Sequence, residues 1–381
     1  MKKIALNKLI FLFIIFIVLG QLPGFFLDRI FTLPFTIHPL DFFLVVFAFL
    51  GLKKIRKPIP LWIKAGLSFL VIGLFSLILY SIVNNELVIF RSLFYLLRYF
   101  AFLFSIYFFF KEREDKNLLN LVGLAGIGVA ILGWMQYFLS PDIRVLKIYG
   151  WDDHLFRLVG SYLDPAFTGI ILVLVLLIFV NQYFKTKSKI YIVAITFLAL
   201  TVLFTYSRSS YLALFSGLFT FVLSTKYKKI LIIILFLVLI PFLPRPSSEG
   251  VKLERLHSIY LKIENSKYGL SIVNENPLFG IGLNNVCNVK VENFKDSFVS
   301  NSCSGLDNSI LFILVTTGVV GLVLFADFIL HIYRSTSQRY RALILSIGAA
   351  LSVHTMFTNT IFYVGVLSLL SIVLGATRKN S

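Results

Sequence analysis

Four arginines and one aspartate in this chain are placed for chemistry on an anion. Arg91 and Arg98 lie seven residues apart within one apolar run, on the same face of any helix formed there. Charge at such depth is costly and is usually kept for a polar pathway or an anion. Arg208 sits in Thr205-Tyr-Ser-Arg-Ser-Ser210, at a junction between two apolar runs, and Arg157 closes the polar segment before another. A guanidinium stays charged at any depth and can grip a phosphate through two parallel hydrogen bonds. Snorkelling or a structural ion pair is the competing account, most of all for Arg91 at the edge of its run. Arg98 lies deeper, and no carboxylate falls at matching depth, since Asp327 is closer to the level of Lys64. A functional role is therefore expected for Arg98.

Asp307 stands with Asn308 immediately before another apolar run, and nine residues separate Asn308 from Gly318-Val-Val-Gly321. A carboxylate there can take a proton from a hydroxyl. Asp and Asn are both favoured helix N-caps, so one of the pair is expected to cap while the other works. Gly318 and Gly321 are expected on one helix face, where small residues let helices pack closely. Asp164-Pro165 reads as an N-cap followed by proline at the first helical position. Gly280 and Gly282 make a tight turn and lack Walker or Rossmann context. His354 is either packed or catalytic, and His257 is a further titratable group. No set of His, Cys and carboxylates has metal-binding spacing and no nucleophile elbow is present, so neither a metal nor a cofactor is expected.

The elements that must hold these residues are membrane helices. The chain has 381 residues, of which 58% are hydrophobic and 14% charged. Apolar runs of about 20 residues are transmembrane helices. The reading is an all-α polytopic membrane protein, one integral membrane unit over 1–381, with about twelve spans. They fall at roughly 9–27, 39–52, 61–83, 87–110, 118–139, 163–184, 190–206, 210–224, 229–243, 309–332, 341–356 and 360–375. The basic start with a long apolar stretch and no small-residue cleavage site reads as a first span.

Charge placement sets the orientation. Lys53, Lys54 and Lys57, Lys185, Lys187 and Lys189, and Arg334, Arg339 and Arg341 share one side with both termini, which the positive-inside rule makes cytoplasmic. The net charge of +18 is thus topology signal and attraction to anionic lipid, and nucleic acid is not expected as a partner. Residues 244–308, the one long polar segment, then form a large extracytoplasmic loop between spans nine and ten. Within it, 251–275 reads as one or two amphipathic helices, with Leu253, Leu256, Ile259, Tyr260 and Ile263 at helical spacing, suited to the membrane surface. Cys287 and Cys303 both lie in this loop, either as a disulfide or as two free thiols.

Four segments carry a resemblance. They are Arg157-Leu-Val-Gly160-Ser-Tyr-Leu-Asp-Pro165, Ser207-Arg208, Asn276-Pro277-Leu-Phe-Gly280-Ile-Gly282, and Asp307-Asn308 with its spacing to Gly318-x-x-Gly321. Together, and in this order over roughly 90–330, they resemble the O-antigen ligase and O-antigen polymerase superfamily of polytopic glycosyltransferases. Ligases carry His where this chain has Asp307. The position where the family often has Arg is Lys262, with Arg255 two turns earlier.

The resemblance implies a GT-C-like fold in a bacterial cytoplasmic membrane, with the active site facing the extracytoplasmic side. It implies an undecaprenyl diphosphate-linked oligosaccharide as substrate, membrane lipid as surroundings, and a chain-length regulator and flippase of the same pathway as partners. Polymerisation of repeat units for O-antigen, capsular or exopolysaccharide is the favoured activity. The alternatives are a ligase transferring polymer to lipid A core and, in a different class, a lipid-linked glycan flippase. Under this reading Asp307 and Arg208 are catalytic, and Arg157, Arg208, Arg98, Arg255 and Lys262 bind the diphosphate. Arg91, His354 and Asn308 are secondary candidates.

Overall fold

The computed structural model describes residues 3–30, 36–55, 57–84, 90–112, 118–149, 154–225, 244, 249–254, 256–294 and 305–379. Its longer elements are α1 (Lys3–Leu19), α2 (Leu22–Ile30), α3 (Pro39–Leu52), α4 (Leu61–Asn84), α5 (Phe90–Glu112), α6 (Leu118–Leu139) and α7 (Pro165–Thr186). There follow α8 (Lys189–Phe204), α9 (Arg208–Ser224), α10 (His257–Glu275), α11 (Val286–Phe294), α12 (Ser309–Arg334), α13 (Arg341–His354) and α14 (Val364–Ala376). Among the described residues there is no strand, only two isolated bridges, Asp142 with Leu155 and Thr336 with Arg378.

Helices fall on the expected spans wherever residues are described, and the expected ninth span, 229–243, lies outside them. Among the described residues five helices, α4, α5, α6, α7 and α12, are long and apolar enough to cross a membrane, and α1 with α2 makes a sixth if that bent pair is one span. α3, α8 and α14 are apolar but shorter. The bend between α1 and α2 is 80°. It occurs where Gly20 takes φ +57 and the Gln21 amide leaves the helix ladder to donate to the Ser161 carbonyl at 2.9 Å. The stretch expected as one straight first span is therefore two helices set at an angle.

α7 is the centre of the bundle. Asp164 caps it, accepting from the Ala166 and Phe167 amides at 2.7 and 3.0 Å, and Pro165 fills the first position as the sequence predicts. Ile170 through Ile178 are wholly buried, so this helix is apolar all round because it has protein all round. α6, α8, α9 and α13 pack against it. α4 shows the opposite pattern, with Val71 and Ile82 among several exposed apolar side chains, a surface suited to lipid.

α12 departs from the expected continuous span. Gly318 takes φ +64 and ψ −170, which breaks the helix between Thr317 and Val319. The segment 277–282 fills the break. The Ile281 and Gly282 amides donate to the Val315 and Thr316 carbonyls at 3.0 and 2.8 Å, and the Val319 and Val320 amides donate to Pro277 and Leu278 at 3.0 and 3.3 Å. Backbone groups freed by a break inside a membrane span must find partners in protein, and these four bonds supply them. Gly318 is thus at an interlock with the Leu278 carbonyl rather than on a helix face shared with Gly321. Gly280 and Gly282 take φ +66 and +92, the tight turn the sequence predicts.

Candidate active site

The Arg157 segment and the Ser207-Arg208 turn are locked together at one end of the bundle. The Leu158 amide donates to the Phe204 carbonyl at 3.0 Å. Arg157 is buried, its Nε donating to the Thr205 carbonyl at 3.1 Å and an Nη to the Tyr206 carbonyl at 3.2 Å. Its other Nη lies 3.2 Å from His154 Nδ1, so each nitrogen of this guanidinium has a protein partner. The Thr205 carbonyl, at the C-cap of α8, is one that a helix end leaves unsatisfied, and Tyr206 follows it in the turn. Tyr206 takes φ +49, a left-handed conformation costly for a residue with a Cβ, and the Arg157 bond holds it there. Arg157 therefore shapes the turn that presents Arg208.

Arg208 occupies the first position of α9, after the cap Ser207, and donates to the Leu253 carbonyl at 3.0 Å. Helix α10 begins only at His257, so Leu253 lies before it as part of Arg208's surroundings. A guanidinium at a helix N-terminus adds to the positive end of the helix dipole, which suits an anion.

The second half of the site is where α10 crosses the start of α12. Asn308 is the cap, its Oδ1 accepting from the Ile310 and Leu311 amides at 2.9 and 3.0 Å. Asp307 is left for other partners. Asn265 Nδ2 donates to one carboxylate oxygen at 3.0 Å, and Lys262 Nζ lies 3.5 Å from the other. Lys262 also donates to the Phe357 carbonyl. The Asp307 side chain remains 41% exposed, open enough to meet a hydroxyl from outside. Lys262, Asn265 and Gly269 share the α10 face that packs on α12, with Gly269 close to Leu306 and Leu311. Ile259, Tyr260 and Ile263 on α10, with Leu256 just before it, are exposed, the apolar surface expected of a helix at a membrane face.

Arg98 is not the carboxylate-free charge the sequence suggested. Its Nε and an Nη meet the two oxygens of Asp41 at 2.5 and 2.8 Å, and it stacks over the Tyr95 ring at 4.7 Å. Asp41 sits in the first turn of α3, where it also accepts from the His38 amide at 2.9 Å. Pro39 followed two residues later by Asp41 is a helix-start pattern, and it was the available signal for this partner. The buried pair explains Arg98 as a brace between α3 and α5.

His354 is buried, with Nε2 3.2 Å from Ser209 Oγ and Nδ1 2.6 Å from Thr360 Oγ1. Asn265, Ser209 and Thr360 were not singled out by the sequence. Asn265 is separated from Asp307 by 42 positions and Ser209 from His354 by 145, so no local pattern announces them. Cys287 is buried and disulfide-bonded. Arg255, Cys303 and the Arg91 side chain lie outside the described residues. Among the described residues no group of three or more His, Cys, Asp or Glu is placed to hold a metal ion.

Residues 192–326 match the O-antigen ligase family. Three of the four resembling segments fall inside that stretch, and the resemblance to the O-antigen ligase and polymerase superfamily is borne out there. No curated protein matches the chain. With its long apolar helices, the chain is a multi-pass membrane protein carrying a region similar to the O-antigen ligase family.

Proposed function

We propose that this protein joins lipid-linked oligosaccharide repeat units at the outer face of a bacterial cytoplasmic membrane. The donor is a glycan on undecaprenyl diphosphate, and the acceptor is a sugar hydroxyl of a second lipid-linked unit. The acceptor oxygen forms a bond to the donor's anomeric carbon as the bond from that carbon to the diphosphate breaks. The hydroxyl proton passes to Asp307, and the lipid diphosphate leaves carrying the electron pair. Arg208 and Lys262 stabilise the charge that develops on the leaving group. Arg157 acts through the turn it holds.

The observation that supports this most is Asp307 itself. It is relieved of capping by Asn308, gripped by Asn265 and Lys262, and partly open. A carboxylate fixed by neighbours yet accessible is what a general base requires. The family match supports the donor class. It also favours a second reading, transfer of finished polymer to a lipid A core by the same chemistry, since the matched family is described as O-antigen ligase.

Deletion of the gene followed by glycan analysis tests both. Loss of long chains with one repeat unit still attached means polymerase. Loss of all attachment with polymer kept on its carrier means ligase. Repeat units stranded on the inner leaflet would mean transport and would sink the enzyme reading. Asp307→Ala and Arg208→Ala are expected to reproduce the deletion while the protein still accumulates in the membrane.

A further inference from the structure

We infer that His354 is a positioning residue for the candidate site, holding the Arg208 turn through Ser209 and Ser207. This rests on the proposed role of Arg208 as a diphosphate ligand.

Hydrogen-bond contacts run without a break from Thr360 through His354 to the Arg208 turn. Thr360 Oγ1 lies 2.6 Å from His354 Nδ1 and 3.1 Å from the Thr358 carbonyl. At the other end of the ring, Nε2 lies 3.2 Å from Ser209 Oγ. Ser209 Oγ is in hydrogen-bond contact with Ser207 Oγ at 3.1 Å. Ser207 in turn accepts from the Ser210 hydroxyl at 2.9 Å and caps the Ser210 amide. Ser207, Ser209, Ser210, His354 and Thr360 are all buried, where a broken link strands a polar group away from water.

The same short segment braces the other half of the site. The Thr355 carbonyl accepts from the Ser309 amide at 3.0 Å, and Asn359 Oδ1 accepts from Ser309 Oγ at 3.0 Å. Phe357 offers its carbonyl to Lys262. Residues 354–360 thus touch the start of α9, the start of α12 and the middle of α10. They lie beyond the matched residues 192–326. His354 is the member of this segment that reaches the Arg208 side, so its ring sets the position of α9's first turn relative to Lys262 and Asp307.

The test uses the purified full-length protein with three variants. His354→Asn keeps an amide at the Nδ1 position but cannot reach Ser209. His354→Gln places a polar atom near the Nε2 position. Thr360→Val removes the partner that orients the ring. Hydrogen exchange over 205–212 is expected to quicken in His354→Asn and Thr360→Val and to stay near wild type in His354→Gln. Affinity for inorganic pyrophosphate should fall roughly 10- to 100-fold in the first two, and the KM for lipid-linked donor should rise while that for acceptor holds. Unchanged exchange in His354→Asn, or equal damage from Asn and Gln, would overturn the inference. If exchange responds as expected but the wild-type protein neither binds pyrophosphate nor transfers glycan, the bracing stands and the proposed function is what fails.

Discussion

Both carboxylate oxygens of Asp41, in the first turn of the neighbouring helix, accept from the Nε and one Nη of Arg98 at 2.5 and 2.8 Å. Two charges removed from water are tolerable only while each has the other. Asp41→Ala should therefore cost about 3–5 kcal/mol, seen as a large drop in thermal unfolding midpoint in detergent. The double variant Asp41→Leu with Arg98→Met should recover most of the loss and retain glycan transfer. Stable but inactive double-variant protein would return Arg98 to the active site.

The interlock at Gly318 makes a second prediction. A Cβ there would meet the Leu278 carbonyl, and the residue's φ of +64 is one that side chains disfavour. Gly318→Ala should destabilise the protein by roughly 1–3 kcal/mol from backbone strain alone. Gly348 has nothing near its Cβ position, so Gly348→Ala is the matched control and should leave the unfolding midpoint unchanged or raised.

Arg157→Lys tests whether that arginine acts through the turn. A lysine carries the same charge but lacks the planar fork that reaches both the Thr205 and Tyr206 carbonyls. The expected result is normal accumulation in the membrane with transfer reduced roughly 100-fold, because the α8–α9 turn no longer fixes Arg208. Wild-type transfer rates in Arg157→Lys would show that charge alone is enough.

These cases show what the sequence could and could not reveal. Apolar runs located α4 through α7 because a membrane span writes its length locally. Asp164-Pro165 and the 280–282 turn were equally legible, since caps and turns are chemistry between near neighbours. The break in α12 was hidden, because one glycine in an apolar run reads as helix and the segment that fills the gap comes from 277–282. The Arg98 pairing was hidden in the same way. Its partner is 57 residues away, and Asp41 near the end of a span can be passed over as a helix-start residue. Asp307 and Lys262 could each be picked out, but their meeting depends on how α10 crosses α12.

The adjacent pair Asp307 and Asn308 offers the sharpest separation of structure from chemistry. Asn308 accepts from two amides at the start of α12, so Asn308→Ala should lower stability by about 1 kcal/mol and leave transfer largely intact. Asp307→Asn should do the reverse. Its amide oxygen can still accept from Asn265, so the unfolding midpoint should hold, but it has no charge to offer Lys262 and cannot take up a proton. Transfer should then fall by a factor on the order of 10²–10⁴, the usual contribution of a general base. Measuring unfolding midpoints and single-turnover rates for both variants checks the pair together. Equal loss of transfer in both would mean that the start of α12 matters only as a fold element.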